Sequence, residues 1–592
     1  MKKLLLAALF LTSTALAGGG QPLTSSQPFI WPAAWSDAKP GEAKYGGMYR
    51  EVAAIIETLN PFRNQDMSSP VFKLAEGTGL FRQSPADGRW LPYMAAAEPT
   101  VSEGGKVFTI RLRRGMKFSD GVEITARDFV TTWKIHADKA MKSASYGQFY
   151  SGDQPITLKA LDNYTLQASF PVPMATAPRI LSFAPWPDHV FGPVYAKGGA
   201  AAVAAMWSKN MNPGEFVSAG PWTLAQNHSE PGGHIILKRN AYWGEWNKDS
   251  LGRALPYLDG VDLKVIPDEV TVFDSFLAGE SDRTVVATAN QIKAMQEAMA
   301  TSKVKAELLL NVSPRNSMSY LIFNWNRASD PYKQALFRNA TFRQAMSSLY
   351  DRQKVIDQTL GGQGKAMYSQ VPLLFPEYIP ADLPKFDYNP TRAAKLLAEL
   401  GYTRKDSEGY LVNADGKRIE FDLMTYPDPQ SKAEVAIFVA DAKAAGVKVN
   451  LPEIDIDDMW ARVDGDPKTP DERNFDAVRY ADTGFEATFP FMDYVWRCDG
   501  SGHAFNMSGE CISPDEQRIN DLFVQGTREL DPAKRAALGR QLNSELGRFQ
   551  GMIPLITYAY NVAYSKRLGG ALPRNLMNAY NGIRYLPLTF VK

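Results

Sequence analysis

Cysteine and histidine are scarce in this chain of 592 residues, which holds two of the former and five of the latter. So few soft ligands argue against a metal-cluster protein, and His136, His189, His228, His234 and His503 show no HExxH or similar spacing. The sequence also has no GxSxG and no P-loop, so the common hydrolase and nucleotide-hydrolysing signatures are missing. Isolated carboxylate pairs such as Asp455 with Asp457, or Asp457 with Asp458, read as solvated loop charges. Charge of one sign is lacking too. Sixty-five Lys and Arg stand against 64 Asp and Glu, and no block of five or more like charges occurs, which argues against a nucleic-acid partner. Past the first residues, no apolar run approaches the ~20 residues that a membrane span needs.

The N-terminus reads as an export signal. Lys2 and Lys3 precede an apolar run from Leu4, and Ala15-Leu16-Ala17 before Gly18 has the small-residue pattern of a cleavage site. The run is about 14 residues, interrupted by Thr12, Ser13 and Thr14, too short for an anchor. Removing residues 1–17 takes away two lysines and turns the formal charge from +1 into −1. No cysteine lies near the cleavage point, so a lipid anchor is not expected, and a periplasmic location is implied. In that oxidising setting Cys498 and Cys511 are expected to form a disulfide worth about 3 kcal/mol. A metal site using His503 between the two thiols is the alternative, but no fourth ligand is evident.

What the chain has in abundance is mixed strand and helix patterning. In VFTIRLRRGMKFSDGVEITARDFVTTWK, residues 107–134, Phe108, Ile110 and Leu112 alternate with Thr109, Arg111 and Arg113 as in a half-buried strand. Ser119-Asp120-Gly121 supplies a turn. Thr125 and Asp128 then resemble a capping box ahead of a helix with Phe129 and Trp133 on one face. A hairpin is read over residues 218–245, where Trp222 and Leu224 lie in one strand and His234 to Lys238 form the other. NPTRAAKLLAELGY, residues 389–402, is the clearest helix, capped by Asn389, with Pro390 in its first turn and Gly401 at its end.

Together these stretches resemble the family 5 extracellular solute-binding proteins, the peptide, nickel and oligosaccharide receptors of bacterial ABC importers. The resemblance rests on Leu112, Arg113, Gly115, Lys117, Phe118, Asp120, Gly121, Thr125, Ala126 and Asp128 in the first stretch. Gly220, Pro221, Leu237, Arg239, Asn240, Tyr242 and Trp243 carry it in the hairpin. Further matches are the Leu277–Asp282 segment, then Phe342, Arg343, Gln344, Ala345, Asp351 and Arg352, and the 389–402 helix. Tyr242 and Trp243 suit packing better than a sugar-stacking platform. The resemblance implies an α/β, two-lobed periplasmic-binding-protein-like fold with two crossover hinge strands and an extra inserted domain. Residues 18–44 would form an N-terminal arm; 45–66, 207–268 and 555–592 lobe Ia; 67–206 lobe Ib; and 269–554 lobe II.

The same resemblance implies a binding protein and not an enzyme, without a cofactor. It would be a monomer that encloses its ligand between closing lobes and hands it to membrane permease subunits. In the peptide receptors an Asp of a WxxD motif binds the peptide's α-amino group, and the matching residue here is Asp482, within RYADT. Arg479 stands where the family has Trp, and either pairs with Asp482 or leaves it to the ligand. Tyr480, Ala481 and Thr483 accompany these two as expected ligand contacts, with Ser69 and Asn316 added from their relative positions. Oligopeptides are the expected cargo; an oligosaccharide or a metal chelate is the alternative. A secreted hydrolase, or a chaperone on the same scaffold, is the reading from another class.

Overall fold

Two large hydrophobic cores organise the chain, and its path between them is set by a few strands. The computed structural model describes residues 27–592 except 40, 64–69, 86–87, 144, 152–153, 267–268, 315–316, 374, 470–471, 484–492, 501 and 571–578. The first core gathers buried residues from Phe29 to Val265 and again from Tyr560 to Phe590. The second gathers Met318 to Ile556. A small third core of Phe273, Phe276, Val286, Met295, Ala306 and Ala563 lies with the strands that join them.

The first core holds two four-stranded sheets. In one, Met48–Ala53 pairs in parallel with Gly260–Val265, which continues antiparallel into His234–Arg239 and Trp222–Asn227. In the other, Val107–Arg111 lies between Thr100–Ser102 and Thr165–Ser169, with Thr157–Asp162 beyond. Here Phe108 and Ile110 are buried while Arg111 is exposed, as their alternation dictates. The helix Ala126–His136 starts as its sequence predicts, with the Asp128 carboxylate accepting from the Thr125 N–H at 2.7 Å and from its hydroxyl at 3.0 Å. The N-terminal arm belongs to this core. Phe29–Ile30 pairs in parallel with Asn247–Lys248, and Trp31 is fully buried.

The second core is built on a five-stranded sheet in the order Lys448–Asn450, Glu420–Thr425, Ala477–Thr483, Ser317–Phe323, Met552–Pro554. Helix Pro390–Glu399 packs against it through Ala393 and Leu397, and its cap is Asn389, which accepts from the Arg392 N–H at 2.9 Å. The motif arginines of the preceding helices are structural. Buried Arg343 donates to the carbonyls of Phe337, Phe549 and Gln550, and Arg352 to those of Met367 and Pro554. Each guanidinium thereby satisfies backbone acceptors that helices and strands leave over.

Ala306–Pro314 and Ile556–Ser565 pair antiparallel and carry the chain across. Leu309 and Val312 pack on the first core while the following strand from Ser317 enters the second. Ile556 likewise belongs to the second core and Tyr560 and Val562 to the first. Asp282, the acidic end of the Leu277–Asp282 motif, is fully buried beside this junction. It accepts from the Arg50 N–H at 2.8 Å, from Arg50 Nη2 at 3.0 Å and from Arg567 Nε at 2.6 Å. Away from the junction the two cores' elements meet again: the Ala175 N–H donates to the Thr527 carbonyl at 2.9 Å. Beside it Leu530 covers Gly105, whose missing Cβ would stand only 2.5 Å from Leu530 Cδ1.

Candidate functional site

Two regions have the composition of a binding wall: the strand Ala477–Thr483 and an enclosed polar cavity. The strand is central in its sheet, with Tyr480 opposite Tyr320 and Arg479 opposite Leu321. Its alternation separates Val478 and Tyr480 from Arg479 and Ala481. Tyr480 is buried, with its ring 5.2 Å from that of Trp460 and 6.4 Å from that of Tyr320. Tyr426 lies near the same Trp460, and its hydroxyl donates to the Ala481 carbonyl at 3.1 Å.

Arg479 is 1% exposed. Its Nη1 donates to Ser431 Oγ at 3.0 Å, and its Nη2 donates to the Glu434 carboxylate and the Tyr558 hydroxyl. Burial works against the guanidinium's charge, but Tyr558 and Glu434 more than offset it, so Arg479 is held above its ordinary value. Among the described residues, Arg479 makes its ion pair with Glu434 on the helix Pro429–Ala444. The sequence offered no signal for that partner, which lies 45 residues earlier. The backbone of Asp482 and Thr483 is paired in the strand, while their side chains, and Ser69 and Asn316 altogether, lie outside the described residues.

The cavity has a volume of about 210 Å³, and the described residues that line it all belong to the first core's half. Glu76 reaches it from the end of the helix Pro70–Ala75, Arg82 from the short strand Phe81–Gln83, Arg179 from the helix Ala177–Ile180, and Arg584 from the C-terminal segment. Gly220 of the hairpin motif fixes this corner. Its N–H donates to the Ala75 carbonyl at 2.9 Å, and a Cβ there would stand 2.3 Å from the same oxygen. Only glycine allows that approach.

Arg82 is held by aromatic faces, with its guanidinium carbon 4.1 Å from the Trp31 ring centre and 5.2 Å from that of Tyr585. It donates to Thr78 Oγ1 at 3.2 Å and to the Arg584 carbonyl. Burial pushes the Glu76 carboxyl up to about 7, against the pull of nearby Arg584. Burial also lowers His136 to about 3, so that imidazole is neutral, with Nδ1 2.6 Å from Ser143 Oγ. Of the expected ligand contacts, Arg479, Tyr480 and Ala481 are described and do not line this cavity. Glu76 and Arg82 lie in a stretch with no motif of its own, and only the fold brings them to Arg179 and Arg584.

Cys498 and Cys511 are joined in a disulfide, with Cα atoms 5.2 Å apart. Beside it the His503 nitrogens have partners, Nδ1 at 2.5 Å from the Val495 carbonyl and Nε2 at 3.2 Å from Glu516 Oε1. The bond closes a short loop against the second core. Cys498→Ala with Cys511→Ala is expected to lose about 3 kcal/mol of stability in chemical denaturation. A loss no larger than that of reduced wild type under the same conditions would fit this account; no loss against the oxidised protein would contradict it.

A two-lobed α/β architecture with paired crossover strands defines a class of receptors that bind solutes. Residues 90–503 match the model of bacterial extracellular solute-binding proteins, family 5, and the chain belongs to that family. It is 36% identical to a probable ABC transporter-binding protein of Deinococcus radiodurans, over the full length of both chains. Among solved structures it resembles MelB of Agrobacterium fabrum in complex with stachyose, at 21% identity and a TM-score of 0.71, covering 96% of this chain and 86% of that one. The oligopeptide-binding protein AppA of Bacillus subtilis, in complex with a nonapeptide, is similar at 20% identity and a TM-score of 0.67, covering 93% and 100%.

Proposed function

We propose that this chain is the periplasmic receptor of an ABC importer, capturing oligopeptides between two lobes and delivering them to permease subunits in the membrane. In this reading lobe Ia comprises residues 45–66, 207–268 and 555–592, lobe Ib 67–206 and lobe II 269–554. It works as a monomer after export, binds without a chemical step, and uses no cofactor. The observation that carries peptide over sugar is the charged lining of the cavity, where Glu76, Arg82, Arg179 and Arg584 converge. Charged groups suit a zwitterionic ligand through charge-assisted hydrogen bonds, whereas a neutral saccharide leaves them unmatched. The similarity to AppA supports the same reading.

A saccharide is the second reading, favoured by the aromatic group of Tyr320, Tyr426, Trp460 and Tyr480 and by the similarity to MelB. Native mass spectrometry of the purified protein, with calorimetric titration of tetra-alanine and of stachyose, separates the two. Peptide masses and a peptide isotherm are expected; a saccharide isotherm alone would replace the proposal. Within the peptide reading, Asp482→Ala is expected to weaken binding by about tenfold or more, the worth of one charge-assisted hydrogen bond to the α-amino group. Unchanged affinity would remove Asp482 from the site.

A further inference from the structure

We propose that the cavity beside Glu76 is a receiving pocket for an anionic group of the solute, a carboxylate, held by Arg179 and Arg584 and by a hydrogen bond donated from the Glu76 carboxyl. The inference rests on the receptor reading above and adds the chemistry of one end of its ligand. A volume of about 210 Å³ is smaller than the ~300–1,000 Å³ typical of whole-ligand sites, so it accommodates an end group and not a chain.

Its charge is one-sided. Among the described lining residues three guanidinium side chains, Arg82, Arg179 and Arg584, stand against a single carboxyl, since burial keeps His136 neutral. Arg82 is occupied by Thr78, the Arg584 carbonyl and its aromatic neighbours. Arg179 is exposed at the cavity, and among the described residues neither its guanidinium nor the Glu76 carboxyl has a hydrogen-bond or ion-pair partner. The arginines of the cavity draw an anion in, and a carboxylate seated beside Glu76 brings two carboxyl groups into one site, where the like charge favours keeping a proton on Glu76. With the Glu76 carboxyl pushed up to about 7 by burial, its protonated form is accessible near neutrality and donates to an incoming carboxylate, with a proton taken up from solvent wherever Glu76 was ionised beforehand.

The sign follows directly. Binding of the carboxylate favours protonated Glu76, whose share in the free receptor falls as pH rises through about 7, so affinity falls with it, by about tenfold between pH 6 and pH 8. Burial keeps His136 neutral across that range, leaving Glu76 as the titrating carboxyl among the described lining residues.

The test is calorimetric titration of the full-length mature protein with tetra-alanine and with its C-terminal amide, at pH 6, 7 and 8. Amidation is expected to weaken binding at least tenfold, and Arg179→Gln to reduce that acid-to-amide ratio below threefold. Glu76→Gln is expected to flatten the pH dependence, and with it the proton uptake measured in buffers of different ionisation enthalpy. Equal affinity for acid and amide in the wild type, or a pH slope that survives Glu76→Gln, overturns the inference while leaving a peptide receptor standing. If neither peptide binds, the peptide reading falls. Hexanoate then serves as the probe, and it must bind with the same dependence on pH, Glu76 and Arg179; failure to do so overturns the inference as well.

Discussion

Glu434→Ala is expected to cost about 3–5 kcal/mol of stability, because it strands the Arg479 guanidinium inside the second core. Both members of the pair are buried, at 1% and 0% exposure, so solvent screening offers the arginine no relief. Ser431 and Tyr558 would remain as neutral acceptors, with Tyr558 losing its own contact to the carboxylate at 3.3 Å. Urea denaturation followed through the tryptophans measures the loss. The double change Glu434→Met with Arg479→Met removes both charges and fills the space, and it is expected to lose less than Glu434→Ala alone. A loss below about 1 kcal/mol in Glu434→Ala would show that the guanidinium finds water or another partner, contrary to its burial.

Trp31→Ala is expected to be of similar size, about 3–5 kcal/mol, although it lies in the N-terminal arm. The residue is fully buried among Phe29, Trp35, Trp243 and Tyr585, with ring centres 5.7–6.4 Å away, and its Nε1 donates to Asn247 Oδ1 at 2.9 Å. Its loss opens a cavity and removes one of the donors to Asn247 Oδ1, leaving the Tyr93 hydroxyl at 2.9 Å. It also removes the aromatic face beneath Arg82, so the cavity's shape is expected to suffer with the core. The same denaturation assay, joined to a ligand titration, reads both effects. Wild-type stability in Trp31→Ala would mean that the arm is an accessory to the first core and not part of it.

These two residues mark the limits of what the sequence makes legible. Local pattern is enough for the strand Val107–Arg111, the capped helix Ala126–His136 and the helix Pro390–Glu399, because each is specified by neighbours within a turn or two. The arm's aromatics suggest packing, yet nothing local says that their partners lie near Trp243 and Tyr585. Arg479 draws attention by standing where the family has Trp, but the strand itself holds no hint of Glu434. A charge on a helix whose apolar pattern is weak is read as solvated until the fold encloses it. Glu76 is more extreme: an ordinary glutamate before a glycine becomes a group titrating near neutrality only when segments from five parts of the chain wall it in.

The contact of Thr527 and Leu530 with Ala175 and Gly105 bears on the balance between shut and open receptor. It joins elements of the two halves away from the crossover strands. A backbone hydrogen bond and the contact of the partly exposed Leu530 with Gly105 together contribute on the order of 1–2 kcal/mol to the shut arrangement. In population terms that raises the ratio of shut to open unliganded molecules by roughly five- to thirtyfold. Where the open form dominates, apparent affinity rises by the same factor, for every cargo alike. On the proposed reading, a corner remote from the cavity thus sets how tightly all solutes are held, while the cavity and the strand Ala477–Thr483 are left to choose among them.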